Sequence, residues 1–462
     1  MPDILIISDD VVGEKMAGPG IRAWEIARSL AGALETVLAI PDYSPGDAGR
    51  LAGGSGFEVI RYSAARPSSL RTAAERSRIV LIQGYILSKF PFLAHLDVHL
   101  VIDLYDPFVL ENLFVHKGAG TALKDRTLIH RHDLGVFNVL IASGDHFLCA
   151  SDRQKDLLMG ALMSLDRLNP AALDFSESAD ELVSVVPFGI REDEPGTPAG
   201  PVIRGKEGTI REGDILLIWG GVISNWYDPL TLLEALAGAR LEDPRLKLYF
   251  LSTRHPNPLT PGFEMARRAE AAARGLGLAD GAVVFHEDWV DYDRRGAYFR
   301  EADIGVSIHR THLETRYSFR TRMLDYLKHG LPLLCTEGDF FADLVGREGL
   351  GFVVRPEDAD GLKNAILRLA ADPRLRDDMK GRIAGIRGSF AWDKVTLPLA
   401  AHCRKVLSGE GAPRNRPSRK EVARVCAPRR PSLLAKLGKK HGRSLFQKLP
   451  PGLAARLRRV FG

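Results

Sequence analysis

The sequence predicts an α/β protein built as two doubly wound domains facing each other across a cleft, with a basic tail after them. Three observations carry that expectation. Short apolar, β-branched runs alternate with amphipathic helical patterns over most of the 462 residues. The runs are continuous, not period-two, as parallel strands buried on both faces require. The rhythm occurs twice, separated by the charged Pro/Gly-rich stretch PFGIREDEPGTPAGP, whose composition marks a boundary.

In the first half the strand candidates are DILIIS, TVLAI, FEVIRY, RIVLIQG, HLVIDL and HFLCA, with SVVPFGI closing the array. After the first run, GPGIRAWEIARSLAG places Ile21, Trp24, Ile26, Ala27 and Leu30 on one helical face and stops at Gly32. The second half reads DILLIW, KLYFLS, AVVFH, DIGVSI, PLLCT and GFVV, with helix patterns DPLTLLEALAGA, FRTRMLDYLKHG and DGLKNAILRLAAD between them. These patterns set a first domain at 1–189, a linker at 190–210, a second domain at 211–390, a C-terminal helix at 391–408 that could cross back to the first domain, and a tail at 409–462.

Composition narrows the function class. With 45% apolar residues the chain has ample material for two cores. The net charge of +5 hides an asymmetry: residues 414–462 carry 15 Lys/Arg against Glu421 alone, which leaves 1–413 at −9. Four dispersed cysteines, Cys149, Cys335, Cys403 and Cys426, form neither a disulfide frame nor a zinc motif and fit a reducing compartment. The start, MPDILIISDD, lacks a basic n-region, and no apolar run reaches the roughly 20 residues of a membrane span. The expectation is a cytoplasmic protein, peripheral at most on the inner face of a membrane. In the tail, Leu445, Leu449, Leu453 and Leu457 recur every four residues beside Arg456, Arg458 and Arg459, and Pro450-Pro451 interrupts any long helix. This fits attraction to an anionic leaflet or a solvated, partner-binding tail. No nucleic-acid-binding motif is present.

Ligands in open α/β sheets sit at the carboxyl ends of strands, so the loops there hold the candidate site. Gly220 and Gly221 follow DILLIW and either admit a ligand close to the backbone or form a plain turn. Arg254 and His255 follow KLYFLS; the arginine either pairs a phosphate or is a solvated loop cation. After DIGVSI, the segment HRTHLETRYSFRTRMLDYLKHG holds Arg316, Arg320 and Arg322 around the start of a helix, with Ser318 as its expected N-cap. Cations oppose the field of a helix N-terminus, and an anion resolves the conflict. A diphosphate would be held by amides near Phe319, Arg320 and Thr321 and by guanidinium forks. Asp325 lies further in, suited to sugar hydroxyls or to a salt bridge with Arg322 or Lys328. Glu337 and Asp339 in TEGDF bind hydroxyls or cap the next helix, capping being the expected role of Asp339.

On the first domain, Gly18-Pro19-Gly20 turns into a helix whose first turn holds Arg22. A nicotinamide fingerprint would need a glycine where Ala23 stands and a suitable acid after the next strand, where only Asp42 lies nearby. Asp103 and Asp106 in VIDLYDPF end a strand. Either orients or deprotonates a substrate hydroxyl, or Asp106 merely caps a helix ahead of Pro107.

LDYLKHGLPLL, AGPGIRAWEIARSLA, FLCASDRQKDLL, VVPFGI, WGGVISNWYDPLTLLEAL, STRHPNP and DWVDYDRRGAYFREADIGVSIH together resemble family-4 glycosyltransferases, in particular a bacterial subgroup linked to surface polysaccharides. The resemblance covers most of the chain. It implies the GT-B fold, two Rossmann-like domains facing across a cleft. It also implies transfer of a hexosyl group, with retention, from a nucleotide-diphosphate sugar to a glycan or lipid-linked acceptor. No metal or other cofactor is obligatory on this reading, and no nucleic acid is a partner. Two departures matter. The family's pair of donor-side glutamates aligns with Tyr317 and Asp325, leaving Glu314 three residues early, and its usual Arg and Lys are missing from GGVISNWYD. Arg320 is expected to replace those cations, helped by Arg316, Arg322 or Arg254. The rival readings are a sugar-nucleotide epimerase of the same fold and a catalytically silent nucleotide- or glycan-binding scaffold.

Overall fold

The computed structural model describes residues 1–46, 55–115, 117, 121–193, 198, 200–206, 210–255, 257 and 263–410. Most of the expected tail, 411–462, with its leucine repeat and the attachment to a membrane surface assigned to it, lies outside the described residues, as do parts of the linker.

Each of the thirteen apolar runs contributes a strand. The first sheet holds β1 (Ile4–Ile7), β2 (Thr36–Pro41), β3 (Glu58–Tyr62), β4 (Ile79–Gln83), β5 (His99–Asp103), β6 (His146–Cys149) and β7 (Val183–Val185) in the order β3-β2-β1-β4-β5-β6-β7. The second holds β8 (Ile215–Trp219), β9 (Leu246–Phe250), β10 (Val283–Phe285), β11 (Ile304–Ser307), β12 (Leu333–Thr336) and β13 (Gly351–Val354) in the order β10-β9-β8-β11-β12-β13. Every pairing is parallel. Burial explains the sequence pattern: every residue of β1, β4, β5 and β8 is buried, whereas the edge strands β3 and β13 are partly open. Helices on both faces provide that cover.

In each sheet the strand order reverses between its first strand and a later neighbour, β1/β4 and β8/β11. Ligands bind outside such switch points. The loops leaving β1, β4 and β5 and those leaving β8, β9 and β11 line one shared cleft. This is the GT-B architecture.

The chain then returns to the first sheet. The backbone N–H of Ile190 donates to Phe390 O at 2.7 Å, and Trp392 packs on Phe188 with ring centroids 5.0 Å apart. Gly189 has no room for a side chain, because an added Cβ would lie 2.5 Å from the Trp392 ring. Helix Leu397–Ser408 follows, tied to the first domain where Arg78 donates to Leu407 O at 2.7 Å and Thr396 Oγ1 meets Ser29 Oγ at 2.6 Å. No described helix is long and apolar enough to cross a membrane.

Candidate functional site

The cleft between the sheets has a volume of about 1800 Å³. Direct polar contacts between the halves frame it. Gln154 Nε2 donates to Tyr317 O at 2.7 Å, Trp289 Nε1 to Met16 O at 3.1 Å, and Asn257 Nδ2 to Asp10 Oδ1 at 2.6 Å. Burial pushes the Asp10 carboxyl up to about 6.

On the first-domain wall, Gly18 and Pro19 line the cleft as helix Gly18–Leu30 begins. Gly20 is instead a packing glycine: an added Cβ would sit 2.0 Å from Val11 O. Arg22, in the first turn after that glycine loop, is withdrawn from the cleft surface. It is fully buried, holding Asp103 through Nε at 2.6 Å and Nη2 at 2.9 Å and donating to the Val186 and Pro187 carbonyls. Asp103 also accepts from Gln83 Nε2 at 3.0 Å. Although Asp103 reaches the cleft wall, its carboxylate is fully engaged and is not a free base. Asp106 lines the cleft and has no such cation; its Oδ1 is out of solvent and receives no hydrogen bond from another residue's fixed donor. Burial pushes its carboxyl up to about 6.

On the second-domain wall, Gly220 and Gly221 leave β8 into the cleft. The Gly220 N–H donates to Tyr326 Oη at 2.8 Å, which in turn donates to Val306 O at 2.8 Å. Gly221 has φ +77°, a conformation that favours glycine.

The arginine segment differs from expectation in a specific way. An extra short helix, Leu313–Tyr317, intervenes, with the His312 side chain accepting from the Thr315 N–H at its start. Ser318 therefore follows that helix and does not cap the next one, which begins only at Arg322 after Thr321. Ser318, Phe319 and Thr321 line the cleft, but Arg316 and Tyr317 do not: Arg316 is exposed and lies over the Tyr317 ring. Arg320 reaches the cleft wall, but its two terminal nitrogens are committed and only its Nε, 3.7 Å from Asp339, is buried without a hydrogen-bond partner. Its Nη1 and Nη2 are each 2.7 Å from the two carboxylate oxygens of Glu314, itself fully buried behind it and off the cleft surface.

Arg322 is different. Its guanidinium lies 4.1 Å from the Tyr227 ring centroid and 4.8 Å from that of Trp219, and its Nη2 donates to Val222 O at 3.0 Å. The residue is 9% exposed, lines the cleft, and its Nη1 is buried without a protein partner. A desolvated, unmet guanidinium N–H beside two glycines suits an anionic oxygen.

Asp325 also lines the cleft, and Arg295 pairs with it at 2.9 Å. Two expected donor contacts are displaced. Arg254 turns to solvent and pairs with Glu287 at 2.6 Å, while its neighbour His255 faces the cleft and burial brings its pKa down to about 4. Glu337 is exposed and off the cleft wall. Asp339 caps helix Phe340–Glu348 by accepting from the Ala342 N–H at 2.8 Å. Sequence reasoning missed Arg295 and Glu111. Glu111 carried a faint signal as the acid in the apolar helical run FVLENLFV; Arg295, in a charged surface-like stretch, carried none.

Residues 213–372 match the family model described as Glycosyl transferases group 1. Solved structures similar to the whole described fold include Anabaena HepE in complex with UDP and glucose, at 14% identity over 88% of this chain and 100% of that one, with a TM-score of 0.61. Sucrose-phosphate synthase from Thermosynechococcus elongatus is 15% identical over 88% of this chain and 99% of that one, TM-score 0.59. WaaG, a glycosyltransferase involved in lipopolysaccharide biosynthesis, is 17% identical over 88% and 100%, TM-score 0.58. At these identities the likeness is one of fold. No curated protein sequence matches the chain.

Proposed function

We propose that this chain is a GT-B glycosyltransferase of family 4 that moves a hexosyl group, with retention, from a nucleotide-diphosphate sugar to a glycan or lipid-linked acceptor. The observation that carries the reading is Arg322 Nη1, buried and unmet at the mouth of β8 beside Gly220 and Gly221. A second support is the group 1 glycosyl transferase match over the domain that holds these residues. Structural neighbours crystallised with UDP and with UDP-glucose share the fold.

Transfer separates a diphosphate from the anomeric carbon, and negative charge grows on the departing oxygen. Arg322 would meet that charge with a pre-positioned donor in a desolvated site, where electrostatic stabilisation is largest. Asp325, held by Arg295, would accept from sugar hydroxyls. The interdomain contacts that close the cleft would exclude water, which would otherwise compete as acceptor. The reading assigns no obligatory cofactor. A role in cell-surface polysaccharide synthesis, with the basic C-terminal segment 411–462 attracting the protein to the inner face of a membrane, completes the proposal.

The test is a thermal-shift screen of the purified chain against UDP-, GDP-, ADP- and dTDP-sugars, followed by assay for released nucleoside diphosphate. Binding of one donor raises the unfolding temperature by mass action. Absence of any shift would contradict the reading. Binding without diphosphate release, even with acceptors supplied, would favour a silent scaffold.

A further inference from the structure

The buried polar atoms that the cleft residues leave without a protein partner divide by chemistry. Among the described residues, the second-domain wall leaves N–H donors unmet: Trp226 Nε1, Arg320 Nε and Arg322 Nη1. The first-domain wall leaves oxygens unmet: Gln83 Oε1 and Asp106 Oδ1. Donors suit the oxygens of a diphosphate. Bare oxygens need the opposite, a ligand that brings O–H or N–H groups of its own.

Gln83 is the better defined of the two. It ends β4 at the switch point, is 3% exposed and lines the cleft. Its amide cannot be turned end for end. Nε2 donates to Asp103 Oδ2 at 3.0 Å, and Arg22 grips the same carboxylate at 2.6 and 2.9 Å. Reversal would set the amide oxygen against that carboxylate. Oε1 is therefore fixed as the open end, with nothing in the protein to fill it. Gln154, buried in the same domain, shows what a purely structural glutamine does. Its Oε1 accepts from the Ala150 N–H at 2.7 Å, and its Nε2 donates to Tyr105 O at 2.8 Å and Tyr317 O at 2.7 Å. Leaving an oxygen buried and unmet costs stability, and a ligand hydroxyl removes that cost.

The charges of the first-domain wall narrow the ligand further. Arg22 is spent on Asp103, and Lys89 pairs with Asp9. Lys124 and Arg131 also line the cleft but are exposed on helix Leu123–Ser143. A phosphate or carboxylate placed against Gln83 would thus meet the oxygens of Gln83 and Asp106 and no spare buried cation.

We infer that Gln83 reads a hydroxyl of the group that receives the sugar, and that the unit lying against Gln83 is a neutral sugar, neither phosphorylated nor carboxylated. This rests on the glycosyl-transfer reading and names the substrate class of its first-domain subsite. The role is binding and orientation. No proton passes to the amide, so the inference is compatible with retention.

Two measurements on the full chain test it, both with the nucleoside diphosphate that stabilises the chain in excess, so that the second-domain wall is occupied. In the first, saturation-transfer NMR compares methyl glycosides of glucose, galactose and mannose with their 6-phosphates. At least one neutral glycoside should bind the wild type, and no phosphate should bind more tightly than its neutral parent. The second takes that glycoside and its monodeoxy analogues to Gln83→Met. In the wild type, loss of one particular hydroxyl should weaken binding about 10-fold. Gln83→Met should bind the parent about 10-fold more weakly, and the same deoxy analogue no more weakly than the parent, while the nucleotide still raises its unfolding temperature. A merely structural glutamine would leave the deoxy penalty in place. Tighter binding of the phosphates, binding of no neutral glycoside, or a deoxy penalty that survives in Gln83→Met overturns the inference. Should Gln83→Met not fold, the wild-type comparison decides alone. Failure of every nucleotide-diphosphate sugar to stabilise the wild-type chain is a separate result, read without any glycoside, and overturns the glycosyl-transfer reading itself.

Discussion

Glu314 and Arg320 form a doubly hydrogen-bonded ion pair, both bonds 2.7 Å, with side chains 0% and 2% exposed. The pair bridges the helix Leu313–Tyr317 and the segment before Arg322, and so fixes the path of the loop that lines the second-domain wall of the cleft. Removing one partner strands a buried charge, which costs about 3–5 kcal/mol. Arg320→Ala is therefore expected to lower stability by that amount in urea denaturation, and Glu314→Ala to do likewise. The double replacement Glu314→Leu with Arg320→Met should recover part of the loss, because Glu314 and Arg320 leave no lone charge of their own while Asp339, 3.7 Å from Arg320, keeps His309 at 3.3 Å. A loss confined to nucleotide affinity, with stability unchanged, would return Arg320 to the role of a phosphate ligand.

Gly18 and Gly20 stand two residues apart and are predicted to respond oppositely. An added Cβ at Gly20 would meet Val11 O at 2.0 Å, whereas at Gly18 its nearest neighbour is Tyr105 Oη at 3.4 Å. Backbone cannot yield as a side-chain tip does, so Gly20→Ala should destabilise by at least about 1–3 kcal/mol. Gly18→Ala should stay within about 0.5 kcal/mol. Equal effects in thermal unfolding would show that helix Gly18–Leu30 does not pack as described.

The returning helix Leu397–Ser408 carries an acid-sensitive contact. The His402 ring lies on His146 with centroids 3.6 Å apart, and His402 Nε2 is 2.9 Å from His99 Nε2. Asp145 lies 3.9 Å from His99, and Lys405 pairs with Glu181 nearby. Burial lowers His146 to about 4; burial, then the neighbouring His146 and His99, lowers His402 to about 2. Both folded values lie below the unfolded one of about 6.5. The unfolded chain thus takes up these protons first, so this stability is complete above about pH 6.5 and is lost as pH falls toward 4. Asp10 and Asp106, raised to about 6, act in the opposite sense, so the informative quantity is a difference between variants. Between pH 7 and 4, His402→Phe should lose less stability than wild type, by up to about 3 kcal/mol at roughly 1.4 kcal/mol per pKa unit. Parallel pH curves for the two proteins would refute this.

The strands were legible because parallel strands covered on both faces are buried at every position and so read as near-continuous apolar runs, and β1, β4, β5 and β8 are buried throughout, with polar residues only at strand ends, His99, Gln83 and Asp103. The loops were legible only in part. Arg316 and Arg320 are four apart, the spacing of one helical face, but the break at Ser318 sends one to solvent and the other into the protein. No local pattern announces that break, since it depends on His312 capping a helix only five residues long. The fates of Arg22 and Asp103 were equally hidden: their pairing spans 81 residues and exists only once β5 lies beside helix Gly18–Leu30. Charge in the sequence marked where ion pairs form, and tertiary contacts decided which charges stayed unmet.

Arg322 keeps one buried N–H unmet at the cleft, and the most direct measurement is calorimetric titration of UDP-glucose into wild type and Arg322→Ala, with folding of both checked by thermal unfolding. A charge-assisted hydrogen bond is worth about 1.5–3 kcal/mol, so the variant should bind about 10- to 100-fold more weakly while remaining folded. Equal affinity in the two proteins, or no binding by wild type of this or any other nucleotide-diphosphate sugar, would contradict a donor site at this end of the cleft.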